Sequence, residues 1–348
     1  MKILHLLNTN KFSGAENVAI SIIKLLDNDV DSTYVSREGE IRNNLNNSGI
    51  KFYPVKKLSV SNIKKAIKDI KPDIIHAHDF TASVITAFST KNIPIISHLH
   101  NNPPWIKSIN AKTLIYSLST IKFKKIYVVS PAIIEEYIFK KSAMRKTEVI
   151  YNPILTRFIQ ERSKSAQISV PYDIVFIGRL TEQKNPLRFI KIIKSVKQEF
   201  PFLNVAMIGD GELLKTIENK ITEYNLGETI KLLGFLDNPY GILKSSKILC
   251  ITSKWEGFGL VAIEALALGK PVVATNVGGL SSIIIPKVGK LCNTDEMFVE
   301  ELTLLLRNGN YYNKKAEHAL EYSSMIDNEE KYYGTILNSY KEMYYSSF

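Results

Sequence analysis

The chain alternates short runs of β-branched and apolar residues with longer stretches of helical periodicity, and this alternation limits its fold more than any other feature. In residues 1–150 the short runs are KILHLLN, DSTYVS, KFYPV, DIIHAH, IPIISHLH, KIYVVS and EVIYN. The stretches between them have helical length and period, for example Glu16 to Leu26 and Ser61 to Ile70. Repeated strand, helix, strand units predict a parallel sheet covered by helices.

The same alternation starts again after Tyr151. The segment NPILTRFIQERSKSAQISVPY has no sustained periodicity and contains Pro153 and Pro171, so we interpret it as a linker. The runs DIVFIG, NVAMIG, IKLLG, ILCIT and PVVAT then recur as short buried strands. We predict an α/β protein with two Rossmann-like, doubly wound parallel-sheet domains, residues 1–155 and 170–328. A tyrosine-rich C-terminal helix, residues 329–348, is expected to return to the first domain.

The composition is ordinary for a globular protein, with 45% hydrophobic and 23% charged residues. No apolar run approaches the roughly 20 residues that span a bilayer. The N-terminal MKILHLLNT is interpreted as a strand, because no small-residue cleavage site follows it. Cys250 and Cys292 belong to no metal-binding pattern, and we expect two small core residues in a reducing cytoplasm.

The net charge of +11 comes almost entirely from residues 1–150, which hold 22 Lys and Arg against 12 Asp and Glu. A basic surface favours an anionic partner, either nucleic acid or an acidic membrane, whereas lysine enrichment from an AT-rich genome is the alternative. Between Pro103 and Lys125, apolar residues and five lysines together favour a helix on an anionic membrane, with an ordinary amphipathic helix as the alternative. The apolar residues are Trp105, Ile106, Ile109, Leu114, Ile115 and Leu118.

Three loops follow predicted strands, at the edge where parallel sheets bind ligands. Gly14 precedes a helix whose free N–H groups suit a diphosphate, although the loop could be an ordinary helix start. Arg179 and Lys184 follow the strand DIVFI. Two cations there can neutralise a diphosphate without a metal, or they are solvated surface charges.

The third loop belongs to SKWEGFGLVAIEALALGKPVV, which carries Glu256 before a glycine pair and Glu264 inside an apolar helix. On one helix the two carboxylates would lie ~12 Å apart and ~80° round the axis. If the helix begins near Gly259, both carboxylates and the N–H groups of Phe258 to Val261 can face one ligand. A buried carboxylate needs hydrogen-bond donors, which sugar and ribose hydroxyls supply. Pairing of Glu264 with an arginine or a backbone group is the alternative.

GRLTEQKN, IGDGEL and SKWEGFGLVAIEALALGKPVVATNVGG resemble second-domain motifs of retaining GT-B glycosyltransferases, in particular glycosyltransferase family 4. SGAE, PDIIHAHD and ISHLHNNP resemble first-domain motifs of the same family. The resemblance implies a GT-B fold whose two domains face a cleft. It also implies transfer of a sugar, with retention, from a nucleoside diphosphate sugar, UDP being favoured over GDP.

The resemblance implies roles for individual residues. Arg179 and Lys184 would bind the diphosphate with help from the Gly14 amide. Glu256 would hold hydroxyls of the donor sugar, and Glu264 those of the ribose. The other donor-binding residues would be Gly178, Gly209, Gly211, Glu212, Gly234, Phe235, Leu236, Gly257, Phe258, Gly259 and Leu260.

A histidine is also implied at the anomeric carbon of the donor sugar. His100 is favoured because it lies at the carboxyl end of its strand, and His98 is the alternative. Because the two alternate along the strand, only one of them is expected to face the cleft. His76 and His78 could also face the cleft, but we favour a structural role in the core for both. The expected catalytic residues are therefore His100, Arg179, Lys184 and Glu256.

No metal or other cofactor is expected, and the DxD tripeptide Asp29 to Asp31 is interpreted as coincidence because it follows a helix. The expected acceptor is a lipid-linked saccharide or oligosaccharide in capsule, exopolysaccharide or O-antigen lipopolysaccharide assembly. The enzyme would be cytoplasmic and attached peripherally to the cell membrane by its basic first domain, without nucleic acid. A GT-B sugar-nucleotide epimerase and a basic nucleic-acid-binding protein are the alternatives, although no recognition motif supports the latter.

Overall fold

The chain divides into two units, each built on one parallel β-sheet. A computed structural model describes residues 1–11, 14–153, 156–164 and 171–346. The first unit consists of Met1–Pro153 with Asn328–Phe348, and the second of Ile154–Asp327. Ser13 of the SGAE motif, and the parts of the expected linker at 154–155 and 165–170, lie outside the described residues.

The first unit contains seven strands and eight helices among the residues that the structure describes. The strands are β1 (Lys2–Leu7), β2 (Asp31–Arg37), β3 (Phe52–Val55), β4 (Ile74–His78), β5 (Ile95–Leu99), β6 (Phe123–Val128) and β7 (Thr147–Val149). The helices are α1 (Gly14–Leu25), α2 (Ile41–Asn47), α3 (Val60–Ile70), α4 (Phe80–Ser89), α5 (Ala111–Ser119), α6 (Pro131–Glu135) and α7 (Lys140–Ala143), together with the C-terminal α16 (Glu329–Tyr345). Short 3-10 turns cover Pro104–Lys107, Thr120–Lys122 and Met144–Lys146. The strand order is β3-β2-β1-β4-β5-β6-β7, and all pairs are parallel.

The second unit has six strands and eight helices within the described ranges. The strands are β8 (Ile174–Ile177), β9 (Val205–Ile208), β10 (Ile230–Leu232), β11 (Ile248–Ile251), β12 (Val272–Thr275) and β13 (Gly289–Cys292). The helices are α8 (Thr156–Arg162), α9 (Pro186–Lys197), α10 (Leu214–Glu223), α11 (Tyr240–Ser245), α12 (Leu260–Ala267), α13 (Leu280–Ile283), α14 (Asp295–Arg307) and α15 (Gly309–Ile326). The order is β10-β9-β8-β11-β12-β13, again with parallel pairs.

The inner strands of each sheet are buried on both faces, which explains why they are almost continuous apolar runs. In the second unit, Phe176 of β8 and Phe189 of α9 belong to one core that also includes Met207 and Phe298. Pro186 starts α9 at the position where its missing N–H costs nothing. The direction of strand order reverses between β1 and β4 and between β8 and β11, so the carboxyl ends of these strands are the expected ligand-binding edges.

The expected fold class is confirmed, and all twelve strand runs identified in the sequence form strands. The expectation missed β13, whose sequence GKLC contains no apolar run because only its two end residues are buried. The prediction that residues 152–172 form a linker without regular structure is also wrong in part, since Thr156–Arg162 forms α8. Ile159 of that helix packs on Tyr240 and Ala267. Seven residues are too few for helical periodicity to be visible.

The segment from Pro103 to Lys125 exposes only part of its apolar side chains. Ile106 is buried, and the Trp105 ring packs edge-on against Phe80, so neither belongs to the exposed face. Ile109, Leu114, Ile115 and Leu118 are exposed, as is the neighbouring Ile121.

Two further expectations concern membranes and cysteines. Across the described ranges, no helix is long and apolar enough to cross a bilayer. Cys250 and Cys292 are both free and fully buried, which confirms them as core residues.

Candidate active site

A lysine and a glutamate meet at the switch point of the second sheet. Lys184 lies in the loop after β8, and Glu256 in the loop after β11, the strand that pairs with β8. Lys184 Nζ lies 2.6 Å from Glu256 Oε2, and the two side chains are 18% and 12% exposed. The structure therefore brings together two predicted site residues that are 72 positions apart in the sequence.

The loop after β8 is shaped to hold Lys184 in this position. The aliphatic stem of Lys184 passes over Gly178, where an added Cβ would lie 3.4 Å from Lys184 Cγ. The hydroxyl of Thr252 donates to the carbonyls of Lys184 and Asn185, at 3.2 and 2.9 Å. A threonine at the end of β11 thus ties the lysine loop to the glutamate loop.

The loop that carries Glu256 is held by a glycine pair from the segment after β12. The Gly279 N–H donates to the Glu256 carbonyl at 3.1 Å. At Gly278, φ is +52°, and an added Cβ would lie 1.8 Å from that same carbonyl oxygen. The Ser253 hydroxyl donates to Glu256 Oε2 at 3.1 Å. At position 278, only glycine allows the backbone to approach the Glu256 carbonyl this closely.

Helix α12 begins directly after Gly259, which takes the left-handed conformation at φ +95°. The prediction that Glu256 lies in the loop and Glu264 in the second helical turn is therefore confirmed. The Tyr240 hydroxyl donates to Glu264 Oε1 at 3.1 Å. Burial raises the pKa of the Glu264 carboxyl to about 7, although the Tyr240 bond and the Lys184 charge act in the opposite direction. Gly257 and Phe258, in the turn before the helix, are buried, and Leu260 is partly exposed.

Arg179 lies in the same loop as Lys184, and its side chain is directed by a glutamine. Arg179 Nη2 donates to Gln183 Oε1 at 3.0 Å. Gln183 Nε2 donates to the Trp255 carbonyl at 3.2 Å, and its own carbonyl accepts from the Lys254 N–H at 2.8 Å. Gln183 thus links the arginine to the segment just before Glu256.

The predicted glycines line the same edge of the sheet. The Gly178 N–H donates to the Ile208 carbonyl, and the Gly209 N–H donates to the Gly234 carbonyl at 2.8 Å. At Gly209, φ is +140°, and a Cβ would lie 2.0 Å from the Gly178 oxygen. Gly211 is likewise packed against the Leu180 backbone. These residues keep three strand ends close together without side chains.

Three other predicted donor residues follow β9 and β10. Glu212 is exposed, Leu236 is partly exposed, and the Phe235 ring is 55% exposed. An exposed aromatic ring beside a backbone with positive φ at Gly234 can stack on a planar ligand.

At the corresponding edge of the first sheet, Gly14 is the first residue of α1. The Thr9 hydroxyl makes a short hydrogen bond to the buried Glu16 of that helix. After β4, Asp79 has φ +107°, which is unusual for a residue with a side chain. Its carboxylate accepts from the Ala82 N–H at 2.8 Å and caps α4, while burial raises its pKa to about 7.

Five of the six histidines in the chain stand together on one face of the first sheet. We call this cluster the histidine ladder, which consists of His5, His76, His78, His98 and His100. One row joins His5 Nδ1 to His78 Nε2 and His78 Nδ1 to His100 Nε2, each at 3.0 Å. A second row joins the Tyr340 hydroxyl to His76 Nδ1 at 2.6 Å and His76 Nε2 to His98 Nδ1 at 3.1 Å.

The two rows lie face to face. The ring centroids of His76 and His78 are 4.3 Å apart, and those of His98 and His100 are 4.1 Å apart. The expectation that His98 and His100 point apart is wrong, because residues two positions apart share a face of a strand. His98 is fully buried and His100 is partly exposed. His76 and His78 are in the core, as expected.

Burial keeps the ladder neutral. Desolvation lowers the pKa of both His5 and His100 to about 3, and it lowers the pKa of the other three rings well below the usual value. Neighbouring imidazoles lower the pKa of those three further. At neutral pH, His100 therefore donates or accepts a hydrogen bond as an uncharged ring.

Two trios within the ladder have ring nitrogens close enough to share a cation. In His5, His76 and His78, and in His78, His98 and His100, one nitrogen of each ring lies within 4.8 Å of the others. The DxD tripeptide lies elsewhere, at the amino end of β2, where Asp31 pairs with Lys51 and Asp29 accepts from Tyr333.

Sequence reasoning missed several residues that build these sites. Gly278 and Gly279 end the motif SKWEGFGLVAIEALALGKPVVATNVGG, and two glycines after a strand indicate a tight approach. Gln183, Ser253 and Tyr240 carry no sequence signal, because their partners are distant in the chain. Asp79 follows the HAH run directly, and a polar residue at a strand end could have marked it.

Models of two families match the chain. The model described as Glycosyltransferase Family 4 matches residues 12–158, and that described as Glycosyl transferases group 1 matches residues 158–322. An uncharacterized glycosyltransferase of Methanocaldococcus jannaschii is 29% identical over 305 residues, which covers 77% of this chain and 74% of the relative. An alpha-1,4-N-acetyl-D-galactosaminyltransferase of Campylobacter jejuni, named for a saccharide on PP-undecaprenol, is 25% identical over 69% of this chain and 70% of its own.

Solved structures share the fold. The HepE protein of Anabaena, in complex with UDP and glucose, superposes with a TM-score of 0.86 at 20% identity over 98% of this chain and 100% of its own. The likeness shows the two-domain GT-B architecture, in agreement with the two parallel sheets described above. The family models match both halves of the chain, and these matches show that the protein is a glycosyltransferase and belongs to glycosyltransferase family 4.

Proposed function

We propose that the protein transfers a sugar from a UDP-sugar to a lipid-linked saccharide, with retention and without a metal, during assembly of a bacterial surface polysaccharide. The observation that carries the donor part is the Lys184–Glu256 pair at the switch point, with Glu264 one helical turn into α12. Such an arrangement offers a cation for phosphate and two carboxylates for hydroxyls. The UDP and glucose bound by the Anabaena protein support this choice of donor class.

In the reaction, the bond between the anomeric carbon and the diphosphate oxygen breaks while an acceptor oxygen bonds to that carbon on the same face. The proton of the acceptor hydroxyl leaves with the diphosphate. Negative charge grows on the departing diphosphate, so Lys184 and Arg179 would stabilise it, with the Gly14 amide assisting. Fixed charges directed at developing charge are among the strongest catalytic contributions. Because these cations are supplied by the chain, we propose that no divalent ion is needed.

The nucleoside would be held by residues on either side of the pair. Glu264 would accept from the ribose hydroxyls, since its half-buried carboxylate has one protein donor, Tyr240, among the contacts described. The base would lie against Phe235, near Gly234 and Leu236, while Gly209, Gly211 and Glu212 would border the same pocket. Glu256 would accept from donor-sugar hydroxyls, beside Phe258 and Gly259. In the first unit, His100 would act as a neutral partner for the sugar.

A donor screen tests this proposal. Purified protein is incubated with UDP- and GDP-sugars and with crude lipid-linked acceptors, in EDTA and with added Mg²⁺, and products are read by mass spectrometry. We expect transfer from one UDP-sugar at equal rates in both buffers, and an α-linked product from an α-donor by NMR. Incubation of the UDP-sugar alone should leave it unchanged, because an epimerase would convert it without an acceptor. Activity only with Mg²⁺, or an inverted product, would contradict the proposed mechanism.

The acceptor part of the proposal rests on the surface around α5. Ile109, Leu118 and Ile121 are between 67% and 77% exposed, and Lys112 and Lys124 are exposed beside them. Apolar side chains flanked by lysines suit the interface of an anionic membrane on the cytoplasmic side. The polyprenol-linked substrate named for the Campylobacter relative is of the kind that such a location would present.

Vesicle sedimentation tests the membrane part separately. We expect the protein to sediment with phosphatidylglycerol vesicles, and not with phosphatidylcholine vesicles, in a salt-sensitive manner. Leu118→Glu with Ile121→Glu should abolish sedimentation. Phe202→Glu, at a 98% exposed apolar residue of the second unit, is the matched control and should not. If the double variant sediments with phosphatidylglycerol vesicles as well as wild type does, or if the protein prefers duplex DNA to vesicles, the proposed membrane-binding surface is contradicted.

A further inference from the structure

The hydrogen bonds of the histidine ladder couple the rings within each row. A neutral imidazole carries one N–H and one lone pair, and every N···N hydrogen bond contains one proton. In the row of His5, His78 and His100, two of the three protons therefore lie in the two 3.0 Å contacts. The third proton is at one end of the row, on His5 Nε2 or on His100 Nδ1. The three rings can change tautomer only together.

His100 is the outer end of this row. It directly follows β5 at the carboxyl edge of the sheet, and it is the one ladder ring that is partly exposed. Its Nε2 bonds to His78, whereas its Nδ1 is buried and has no hydrogen-bond partner within the described part of the chain. The free nitrogen of His100 is thus a consequence of the bond to His78.

We propose that His78 is a positioning residue that fixes the ring orientation of His100 and couples its tautomer to those of His78 and His5, so that Nδ1 is the atom left for a substrate hydroxyl. The inference extends the proposed function, because it assumes that His100 contacts the donor sugar. The tautomer of a histidine is set by the hydrogen bond of its other nitrogen, and a ring held in one orientation has less freedom to lose during reaction.

Core packing alone does not explain the ladder. His5, His76, His78 and His98 are fully buried, and apolar side chains would fill the same volume without the cost of desolvating ring nitrogens. Instead, each row continues ring to ring across neighbouring strands. The second row begins at Tyr340 of α16 and stacks on the first, so that His100 is held both at its edge and across its face.

The first experiment needs only the unmodified protein, with ¹⁵N-labelled histidine rings and no donor present. We expect a scalar coupling across the hydrogen bond between His78 Nδ1 and His100 Nε2, and ring shifts that give His5, His78 and His100 the same proportion of the Nδ1–H tautomer. Different proportions in the three rings, or no coupling, would overturn the proposal. A stoichiometric transition metal in the purified protein would also overturn it, because the ring nitrogens would then be ligands.

The second experiment compares His78→Leu, His78→Asn and His318→Gln. An asparagine amide can occupy the position of Nδ1 and bond to His100, whereas leucine cannot. We expect kcat to fall about tenfold in His78→Leu with KM for the donor changed less than about twofold, and to recover within about threefold of wild type in His78→Asn. His318 is the one histidine outside the ladder, and its variant should behave as wild type.

The outcomes separate this proposal from the proposed function. A His78→Leu protein that keeps the wild-type ring shifts of His100, or that changes those shifts with unchanged kcat, contradicts the role of His78. A wild-type rate in His100→Ala contradicts the donor contact of His100, and leaves the ring shifts of the wild-type protein as they are. If leucine at position 78 prevents folding, His5→Leu shortens the row by one ring, and His78 and His100 should still show equal proportions of the Nδ1–H tautomer. Unequal proportions in that variant would overturn the coupling.

Discussion

Lys184 Nζ and Glu256 Oε2 form a 2.6 Å ion pair that is mostly shielded from solvent. The oxygen also accepts from Ser253 at 3.1 Å, so the carboxylate is fixed by two donors from different parts of the loops. A shielded pair in which each charge needs the other is rigid, and a ligand with both phosphate and hydroxyl groups can satisfy each partner separately. Donor binding would therefore replace the Lys184–Glu256 ion pair by a contact of Lys184 with phosphate and a contact of Glu256 with a sugar hydroxyl.

Lys184→Ala should lower kcat by about 100-fold or more, because loss of one group that stabilises developing charge has an effect of that size. The rate is measured with a saturating UDP-sugar, and circular dichroism confirms folding. Lys254→Ala is the matched control, since Lys254 pairs with Glu182 at 2.9 Å on the exposed side of the same loops. Its rate should match wild type. A folded Lys184→Ala protein with a wild-type rate would rule out the leaving-group role.

Nucleotide binding should release a proton from Glu264 at pH 6. In the free protein, burial raises the pKa of this carboxyl to about 7, so it is mostly protonated at that pH. Ribose hydroxyls favour the charged carboxylate, and binding then lowers the pKa and expels the proton. Calorimetry in buffers of different ionisation enthalpy measures the release.

Glu264→Gln is the control for that measurement, because it keeps the shape of the side chain and removes its titration. The difference in proton release between wild type and the variant should be large at pH 6 and vanish above pH 8, which also subtracts the titration of the nucleotide phosphates. UDP affinity of the variant should be weaker. An identical release and affinity in both proteins would refute the ribose contact.

The arrangement around α12 could be predicted from the sequence because its signals are local. A glycine before an apolar run indicates a helix start, and that single boundary decides that Glu256 lies in the loop and Glu264 in the helix. The strand runs were likewise visible, since parallel strands buried on both faces are apolar throughout. β13 was not, because the middle of its sequence, at Lys290 and Leu291, is only partly buried.

The histidine ladder could not be predicted in the same way. His5, His76 and His98 are brought together by the strand order β1-β4-β5, and the order of strands is not encoded locally. His98 and His100 lie two positions apart and therefore share a face of the strand, so both belong to the ladder. The close approach of Gly278 to the Glu256 carbonyl is a tertiary contact, so the sequence showed only that two glycines follow β12.

Gly278→Ala should destabilise the second unit by at least about 2 kcal/mol, because alanine disfavours positive φ and its Cβ would overlap the Glu256 carbonyl. Urea unfolding in a Trp105→Phe background, where Trp255 reports on the second unit alone, measures the loss. UDP affinity should fall with it, since Glu256 must move. Gly227→Ala is the control, because an added Cβ there meets nothing within 4 Å in the described residues. Equal stability of the two variants would show that the backbone at Gly278 relaxes freely.

The first unit should lose stability as the pH falls below 6.5. An unfolded histidine binds a proton near that pH, whereas burial keeps the ladder rings neutral with His5 and His100 titrating at about 3. In this window the unfolded state binds more protons, so each ring lowers the free energy of unfolding by up to about 1.4 kcal/mol per pH unit. Asp79 offsets about one ring's contribution to this loss of stability. Its raised pKa means that the folded state binds a proton at this carboxyl in the same pH window, whereas the unfolded state does not.

Urea unfolding of a Trp255→Phe protein at pH 7.5, 6.5 and 5.5 measures this slope, because Trp105 then reports on the first unit alone. Stability should fall slightly between pH 7.5 and 6.5, where the unfolded rings begin to bind protons, and fall steeply by pH 5.5. Added His5→Leu should make the fall shallower by about one ring's contribution, and added His318→Gln should leave it unchanged because His318 belongs to the second unit. A flat profile down to pH 5.5 would mean that the ladder rings are protonated in the folded state, which contradicts their description as neutral hydrogen-bonded rows.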